Sequence, residues 1–123
     1  MALEVSLTVT EVSPEEMLAL HSWPYFGYTF MQDYLDRNGI VQRKASTHLL
    51  STLPPRARAS VLAHETYHAR DEYFFVSSVL WREAKANWAG FTAEPRGFLQ
   101  AIWLSVTDKE RLRLYWERVT KNF

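Results

Sequence analysis

Strict alternation of apolar and polar residues at the start of the chain predicts a half-buried strand. In the stretch LEVSLTVT, which ends at Thr10, every second side chain is Leu or Val and the others are polar or charged. This is the two-residue period of a strand. Glu11 falls on the apolar side, so we expect the strand to end near Thr10. A helix should then begin at Pro14, because Ser13 and Glu16 form the capping-box pattern that marks a helix start.

Spacing of three to four residues between apolar positions predicts helices over most of the remaining chain. Pro24 interrupts the first helix. The apolar side chains of residues 25–37 then recur at helical spacing, up to a turn signal at Asn38-Gly39. Residues 40–53 predict one or two short strands. Further helices are expected over residues 56–73, 77–89, 94–106 and 108–121.

These elements define an α+β fold class that is mostly helical and has a short sheet. Gly90 is expected to cap the helix over residues 77–89, and Thr107 with Glu110 forms a capping-box pattern at the start of the last helix. With 123 residues, no repeat and no linker, the chain is expected to form a single domain, residues 1–123.

Composition excludes several classes of function. Lys and Arg number 14, as do Asp and Glu, so the net charge is zero. We therefore expect no nucleic-acid partner, which would normally call for a basic excess. The chain has no cysteine, so a metal site would use His, Asp or Glu. No apolar run reaches the roughly 20 residues of a membrane span. The first residues lack a basic segment and carry Glu4, so we expect no signal peptide and a cytoplasmic location.

The segment HETYH, residues 64–68, places candidate zinc-protease chemistry on a predicted helix. His64 and His68 are four residues apart, so their imidazoles project from the same helix face and can bind one metal ion. Glu65 lies about 100° round the helix from His64. From there it can reach a metal-bound water without binding the metal itself, which is the logic of the H-E-x-x-H motif.

A third ligand is expected from the next predicted helix. Asp71 is nearer in sequence, but it lies two turns beyond His64, and we interpret it with Glu72 as a solvated helix end. Glu83 follows His68 by 15 residues, a gap that allows a short turn and a second helix returning across the first. Asn87 lies one turn after Glu83 and can accept the second ring N–H of His64. The alternative for Asn87 is an ordinary polar residue near a helix end.

The constellation of His64, Glu65, His68, Glu83 and Asn87 resembles the gluzincin metallopeptidases, most closely the single-domain minigluzincins. The resemblance covers residues 61–90 and implies a zincin-like domain, in which a small sheet packs over the active-site helix and the glutamate-bearing helix. Asn87 stands where Asp is commoner in the family. We find no counterpart of the Tyr or His that assists the transition state in larger gluzincins.

The resemblance implies a zinc-dependent peptidase that hydrolyses peptide bonds of a peptide or protein substrate. Zn²⁺ would be held by His64, His68 and Glu83, with Glu65 as the general base toward a metal-bound water. Two histidines and a carboxylate would also suit iron or cobalt. In the family the C-terminal segment can block the cleft, so the resemblance also allows a latent enzyme, with simple docking of the last helix on the core as the alternative.

Substrate is expected to lie as an extra strand along a sheet edge. Residues 45–51 are the candidate edge. His48 within it is a candidate substrate-binding residue that faces the cleft and holds the oxyanion, with a structural or exposed role as the alternative. His21 is interpreted as structural.

Two other functions stay open. The first is a non-catalytic metal- or peptide-binding regulatory protein that retains a zincin site. The second is a helical interaction domain in which the motif arose by chance. Metal content separates the second from the others, and dependence of cleavage on Glu65 separates a peptidase from a regulatory protein.

Overall fold

Three strands and five helices make up residues 3–121, which are the residues that this computed structural model describes, without the side chains of Glu110, Tyr115 and Lys121. This architecture confirms the α+β fold class predicted from the sequence. The elements in chain order are β1 (Leu3–Val12), α1 (Pro14–His21), β2 (Gly27–Leu35), β3 (Val41–Leu50), α2 (Pro55–Arg70), α3 (Val79–Ala93), α4 (Pro95–Thr107) and α5 (Lys109–Lys121).

The sheet has the strand order β1-β3-β2. β3 is central, parallel to β1 and antiparallel to β2. β2 is therefore an edge strand, with one side of its backbone unpaired within the described sheet. The prediction that residues 45–51 form a free edge is wrong, because this segment lies in β3 and is paired on both sides.

The predicted helix over residues 25–37 is also wrong, because most of this segment forms β2. Phe26, Phe30 and Tyr34 are four residues apart, and a spacing of four fits one helix face and one strand face equally. The turn that follows decides between the two. Gly39 has a φ of +77°, and Asn-Gly between two extended segments is a strong hairpin signal. β2 and β3 are accordingly joined as a hairpin.

The start of α1 matches the predicted capping box. The Ser13 hydroxyl accepts from the Glu16 N–H at 3.1 Å, and the Glu16 carboxylate accepts from the Ser13 N–H at 3.2 Å. β1 extends two residues beyond the predicted end, to Val12. Val12 and Met17 are both buried in one core cluster, so the chain enters α1 through apolar packing on either side of the cap.

The remaining helices begin and end within two residues of their predicted positions, with two exceptions. α2 ends at Arg70 rather than at residue 73, and α3 passes through Gly90 instead of stopping there. Asp108 caps α5, since its carboxylate accepts from the Arg111 N–H at 3.3 Å; the predicted capping role of Glu110 lies outside the described side chains. No helix within residues 3–121 combines the length and apolarity needed to cross a lipid bilayer.

Arg43 on β3 joins the sheet to the C-terminal end of α2. Its side chain is buried, and Nε and Nη2 donate to the two carboxylate oxygens of Asp33 at 2.7 and 3.0 Å. Nη1 donates to the main-chain carbonyls of Ala69 and Asp71 at 3.0 and 2.7 Å. The last carbonyls of a helix have no partner within the helix. The guanidinium therefore satisfies carbonyl groups where α2 ends.

Replacing Arg43 by Met should lower the free energy of unfolding by about 3 kcal/mol, because Asp33 and two main-chain carbonyls lose their donors. Arg58→Met is the matched control. Arg58 pairs with Glu11 at 2.8 Å on the surface, and its loss should cost about 1 kcal/mol or less. Urea unfolding followed by circular dichroism measures both values. Equal losses in the two variants would contradict the assigned role of Arg43.

Candidate metal centre

Three side chains from two helices converge on one point. Nε2 of His64 lies 3.2 Å from one carboxylate oxygen of Glu83, and Nε2 of His68 lies 3.0 Å from the other. The two Nε2 atoms are 3.1 Å apart. Ligand atoms around a tetrahedral zinc ion lie about 3.3 Å apart, as follows from Zn–N bonds of about 2.0–2.1 Å. The 3.0 and 3.2 Å contacts use different oxygens of Glu83; with one ligand atom from each residue, the three atoms lie within 4.8 Å of one another. The cluster could therefore hold a metal ion, and its members are the three residues expected from the sequence.

The pairing of α2 with α3 brings the ligands together. The Ser60 hydroxyl donates to the Gly90 carbonyl at 3.0 Å. About two turns further along α2, His68 contacts Glu83. A Cβ on Gly90 would lie 3.0 Å from the Ser60 carbonyl oxygen, which is tighter than most contacts of a Cβ atom. Gly90 thus favours the close crossing of the two helices.

Burial and the neighbouring polar groups act in opposite directions on the pKa of His64. Burial opposes a charge on the imidazole, but hydrogen bonds to Glu83 and Asn87 and the charges of Glu65 and Glu83 outweigh it and raise the pKa of His64 above 6.5. Hydrogen bonds from His64 and His68 lower the pKa of Glu83 well below its usual range. The structure therefore places Asn87 against His64, where the sequence predicted it. Among the described residues, Nδ1 of His68 has no such partner.

Glu65 lies beside the ligands without joining them. Its side chain is buried, with 7% of its surface exposed, and Oε2 accepts from the Thr29 hydroxyl at 2.7 Å. The Thr29 oxygen is in turn 2.7 Å from the hydroxyl of Thr47 on β3. The sheet thus fixes the direction of the carboxylate, while His64 and His68 lie nearby on the same helix, α2.

Gly27 lets the edge strand approach Glu65. A Cβ at this position would lie 2.8 Å from Cγ of Glu65 and 2.8 Å from Cγ1 of Val61. A larger residue would therefore displace either β2 or the carboxylate. Sequence reasoning missed Gly27 and Thr29, because it assigned their segment to a helix; a glycine within a strand, which often marks close backbone approach, was the available signal.

Two cavities open on either side of Glu65. One, of about 430 Å³, is lined by the three ligands and by Tyr25, Thr29, Phe74 and Arg82, among others. The other, of about 340 Å³, lies between α2 and α4 and has a mainly apolar wall that includes Val61, Phe98 and Ile102. His64 and Glu65 belong to both. A substrate bound across this region would have room on each side of the candidate base.

Arg82 forms part of the wall of the larger cavity. Its Nη1 donates to the Phe74 carbonyl at 3.1 Å, and its guanidinium lies 4.3 Å from the centre of the Phe74 ring. Phe74 packs edge-on against His68, with ring centres 5.5 Å apart. The turn after α2 therefore positions a cation beside the ligand set.

His48 does not join the site, so its predicted position at the cleft is wrong. Register pairs Thr29 with Thr47 and Tyr28 with His48. Because side chains alternate along a strand and Thr47 belongs to the Glu65 network, His48 projects from the opposite face of the sheet. There its Nδ1 lies 2.9 Å from Nε2 of His21 on α1.

Asp71 is not the solvated helix end that the sequence suggested. Its side chain is buried, and its carboxylate contacts the Lys85 ammonium at 3.2 Å and accepts from the Tyr73 N–H at 2.9 Å. It is not part of the ligand cluster, as expected. Its ion pair joins the end of α2 to α3, while the adjacent Glu72 is exposed.

No family model, curated protein or solved structure matches the chain. The case for the site therefore depends on the chain's own residues and on their geometry.

Zinc affinity should fall most when a ligand is replaced, less when a hydrogen-bond partner of a ligand is replaced, and not at all when an exposed residue is replaced. Glu83→Gln removes an anionic ligand and should weaken binding by more than the ~10–100-fold that loss of an outer hydrogen-bond partner usually costs. Asn87→Ala should fall within that range, and Glu72→Gln, an exposed control, should have no effect. Competition titration with a fluorescent chelator measures all three. Unchanged affinity in Glu83→Gln would contradict the ligand set.

Zinc binding should also weaken in acid, because metal binding to histidine displaces protons. The pKa of His64 is raised above 6.5, so affinity should be constant above that raised pKa and fall as the pH drops through it. Asn87→Ala removes one of the contacts that raise the pKa and should move the onset of this fall to lower pH. Calorimetric titration over a pH series measures the onset; an onset that does not move in the variant would contradict the assigned contact.

Proposed function

We propose that this chain is a zinc-dependent peptidase with a single metal site at His64, His68 and Glu83. The observation that carries the proposal is the position of Glu65. Its carboxylate shares both cavities with His64 but is outside the ligand cluster. A purely structural metal site has no need of such a group, whereas hydrolysis requires a base beside the metal.

The chain's own residues divide the chemistry between them. Zinc bound here would supply a Lewis acid that acidifies water and polarises a carbonyl oxygen. His64, His68 and Glu83 would hold the ion, and three protein ligands are the number that catalytic zinc sites use. Glu65 takes the proton of the attacking water and delivers it to the leaving amine. The Thr29 hydroxyl donates to one oxygen of that carboxylate and keeps it in place during the proton transfer.

The free edge of β2 supports an extended peptide as the substrate. This edge begins at Gly27, directly above Glu65, and an added strand would satisfy its unpaired N–H and C=O groups. The cavity between α2 and α4 then accepts one side chain of the substrate. Its mainly apolar wall favours an apolar side chain there.

A second function, a metal- or peptide-binding regulator without turnover, has one observation in its favour. Glu65 is buried and already hydrogen-bonded to Thr29, as a structural carboxylate would be. Turnover by the zinc-loaded chain separates the two functions.

In the peptidase, Tyr25 and Arg82 line the cavity and are the groups available to stabilise an oxyanion.

Latency through the last helix is not part of the proposal. The Arg111 guanidinium lies over the Phe26 ring at 3.9 Å, and the Arg118 guanidinium lies over Trp23 at 4.2 Å. Within the described residues, α5 lines neither of the two cavities at the site. Its described part holds the segment that leads into β2.

Glu65→Gln should retain zinc and lose about 10²–10⁴-fold of the hydrolytic rate, the range expected when a general base is removed. Glu72→Gln is the control, because Glu72 is exposed and lies just after the end of α2. This variant should keep both its zinc and its hydrolytic rate. Cleavage of an unfolded protein by the zinc-loaded chain, followed by mass spectrometry, measures the rate. Full activity in Glu65→Gln would rule out the proposed mechanism, and zinc binding without cleavage in the unmodified chain would favour the regulator.

A further inference from the structure

Arg82 is the one arginine or lysine among the described residues that line the two cavities at Glu65. Its Nη1 donates to the Phe74 carbonyl at 3.1 Å. Its Nε is buried and has no hydrogen-bond partner within the described part of the chain. A guanidinium carries five N–H donors, and a buried donor without an acceptor costs free energy. One edge of this guanidinium therefore lacks a partner beside the candidate metal centre.

Arg43 shows which partner this edge fits. Its Nη1 donates to main-chain carbonyls, while Nε and Nη2 donate to the two carboxylate oxygens of Asp33. Arg82 uses its Nη1 in the same way, but no residue that the structure describes accepts from its Nε or Nη2. Two parallel hydrogen bonds from one edge are the geometry in which a guanidinium binds a carboxylate. Arg82 thus repeats the arrangement of Arg43 without the carboxylate.

The charges in the larger cavity also favour an anion. Apart from Arg82 and the two histidines, the charged residues described in its lining are Glu65 and Glu83. A divalent ion at the ligand cluster would balance these two carboxylates, so the guanidinium would leave the loaded cavity with one positive charge. A carboxylate that enters from solvent would neutralise it. Such a pair is screened less in a cavity than on the open surface.

The position of Arg82 limits where this carboxylate lies along a bound peptide. The guanidinium is 4.3 Å from the centre of the Phe74 ring, and that ring is 5.5 Å from the ring of His68, centre to centre. An extended peptide advances about 3.3–3.6 Å per residue. No more than about four residues therefore separate a carbonyl group at the ligand cluster from a carboxylate at the guanidinium.

We propose that Arg82 binds a carboxylate of the substrate, so that the chain selects peptides with an acidic group close to the bond that is cleaved. This inference rests on the proposed peptidase function and adds a substrate class to it. The carboxylate belongs either to the C-terminus of the peptide or to an Asp or Glu side chain, and both present the same two oxygens to the guanidinium. The first source makes the enzyme one that trims chain ends, and the second makes it one that cuts within a chain.

Matched sets of short peptides test the selection and identify the source. The peptides have mixed sequences and are made with a C-terminal carboxylate or a C-terminal amide, and with Asp and Glu or with Asn and Gln inside the chain. Mass spectrometry after incubation with the zinc-loaded chain gives the cleavage rate of each set. We expect one carboxylate set to be cleaved about 10–100-fold faster than its neutral counterpart, the range for a hydrogen bond to a charged group.

Variants of Arg82 should change this preference for carboxylate peptides. Arg82→Gln should reduce the preference nearly to one, and Arg82→Lys should keep part of it, because lysine retains the charge but not the two-donor edge. Arg70→Gln is the matched control: Arg70 is exposed and is not among the residues that line either cavity, so the preference should be unchanged. The zinc affinity of Arg82→Gln should not fall, which checks that the ligand cluster is intact.

Peptide binding to the metal-free chain, measured by calorimetry, separates this inference from the proposed function. No hydrolysis is expected without the metal, so the preference for carboxylate peptides and its loss in Arg82→Gln are measured there without turnover. Such binding through Arg82, together with no cleavage by the zinc-loaded chain, would overturn the peptidase and support the carboxylate site.

Two results would overturn the carboxylate site while the peptidase stands. The first is cleavage of acidic and neutral peptides at equal rates by the unmodified chain. The second is a loss of rate in Arg82→Gln that is equal for all peptides, which would assign the guanidinium to the oxyanion of the reaction instead of a substrate carboxylate.

Discussion

The hydrogen bond from the Ser60 hydroxyl to the Gly90 carbonyl, at 3.0 Å, marks the contact on which the rest of the site depends. It holds α2 and α3 close enough for side chains on their facing sides to interdigitate. Ser60, His64 and His68 are one turn apart on α2, so fixing one of them against α3 fixes all three. Glu83 then meets both imidazoles. A side chain at position 90 would press against the Ser60 carbonyl oxygen and force α2 and α3 to shift slightly.

The sheet contributes a different constraint, which concerns the candidate base rather than the ligands. β2 lies on α2 at Gly27, and a hydrogen-bonded chain runs from Thr47 through Thr29 to Glu65. Arg43 secures the same sheet to the end of α2. α2 thus carries the two candidate histidine ligands on the side facing α3 and the candidate base on the side facing the sheet, so separate contacts position the two groups.

Local sequence spacing was sufficient to predict which side chains share a helix face; that Glu83 meets the two histidines depends on the crossing of α2 and α3. His64 and His68 share a helix face for geometric reasons alone, and Glu83 and Asn87 repeat the same spacing on the next helix. The capping box at Ser13 was equally local. Each of these features depends on residues within four positions of one another, where helix geometry leaves little freedom.

Features that depend on distant residues could not be predicted in this way. Four-residue spacing in the segment around Phe30 fitted a helix and a strand alike, so β2 was missed, and with it Gly27 and Thr29. The central position of β3 follows from pairing with β1, some 38 residues away, and it places His48 on the far face of the sheet. The contact of Arg43 with Ala69 likewise has no local signal.

The central claim is that His64, His68 and Glu83 hold one metal ion together. X-ray absorption at the zinc K edge of the zinc-loaded chain tests it most directly. The account predicts scattering from two imidazole rings at about 2.0–2.1 Å and from oxygen ligands, in a four-coordinate site, with one imidazole lost in a variant of either histidine. A spectrum without imidazole scattering, or one that is unchanged when His64 or His68 is replaced, would contradict it.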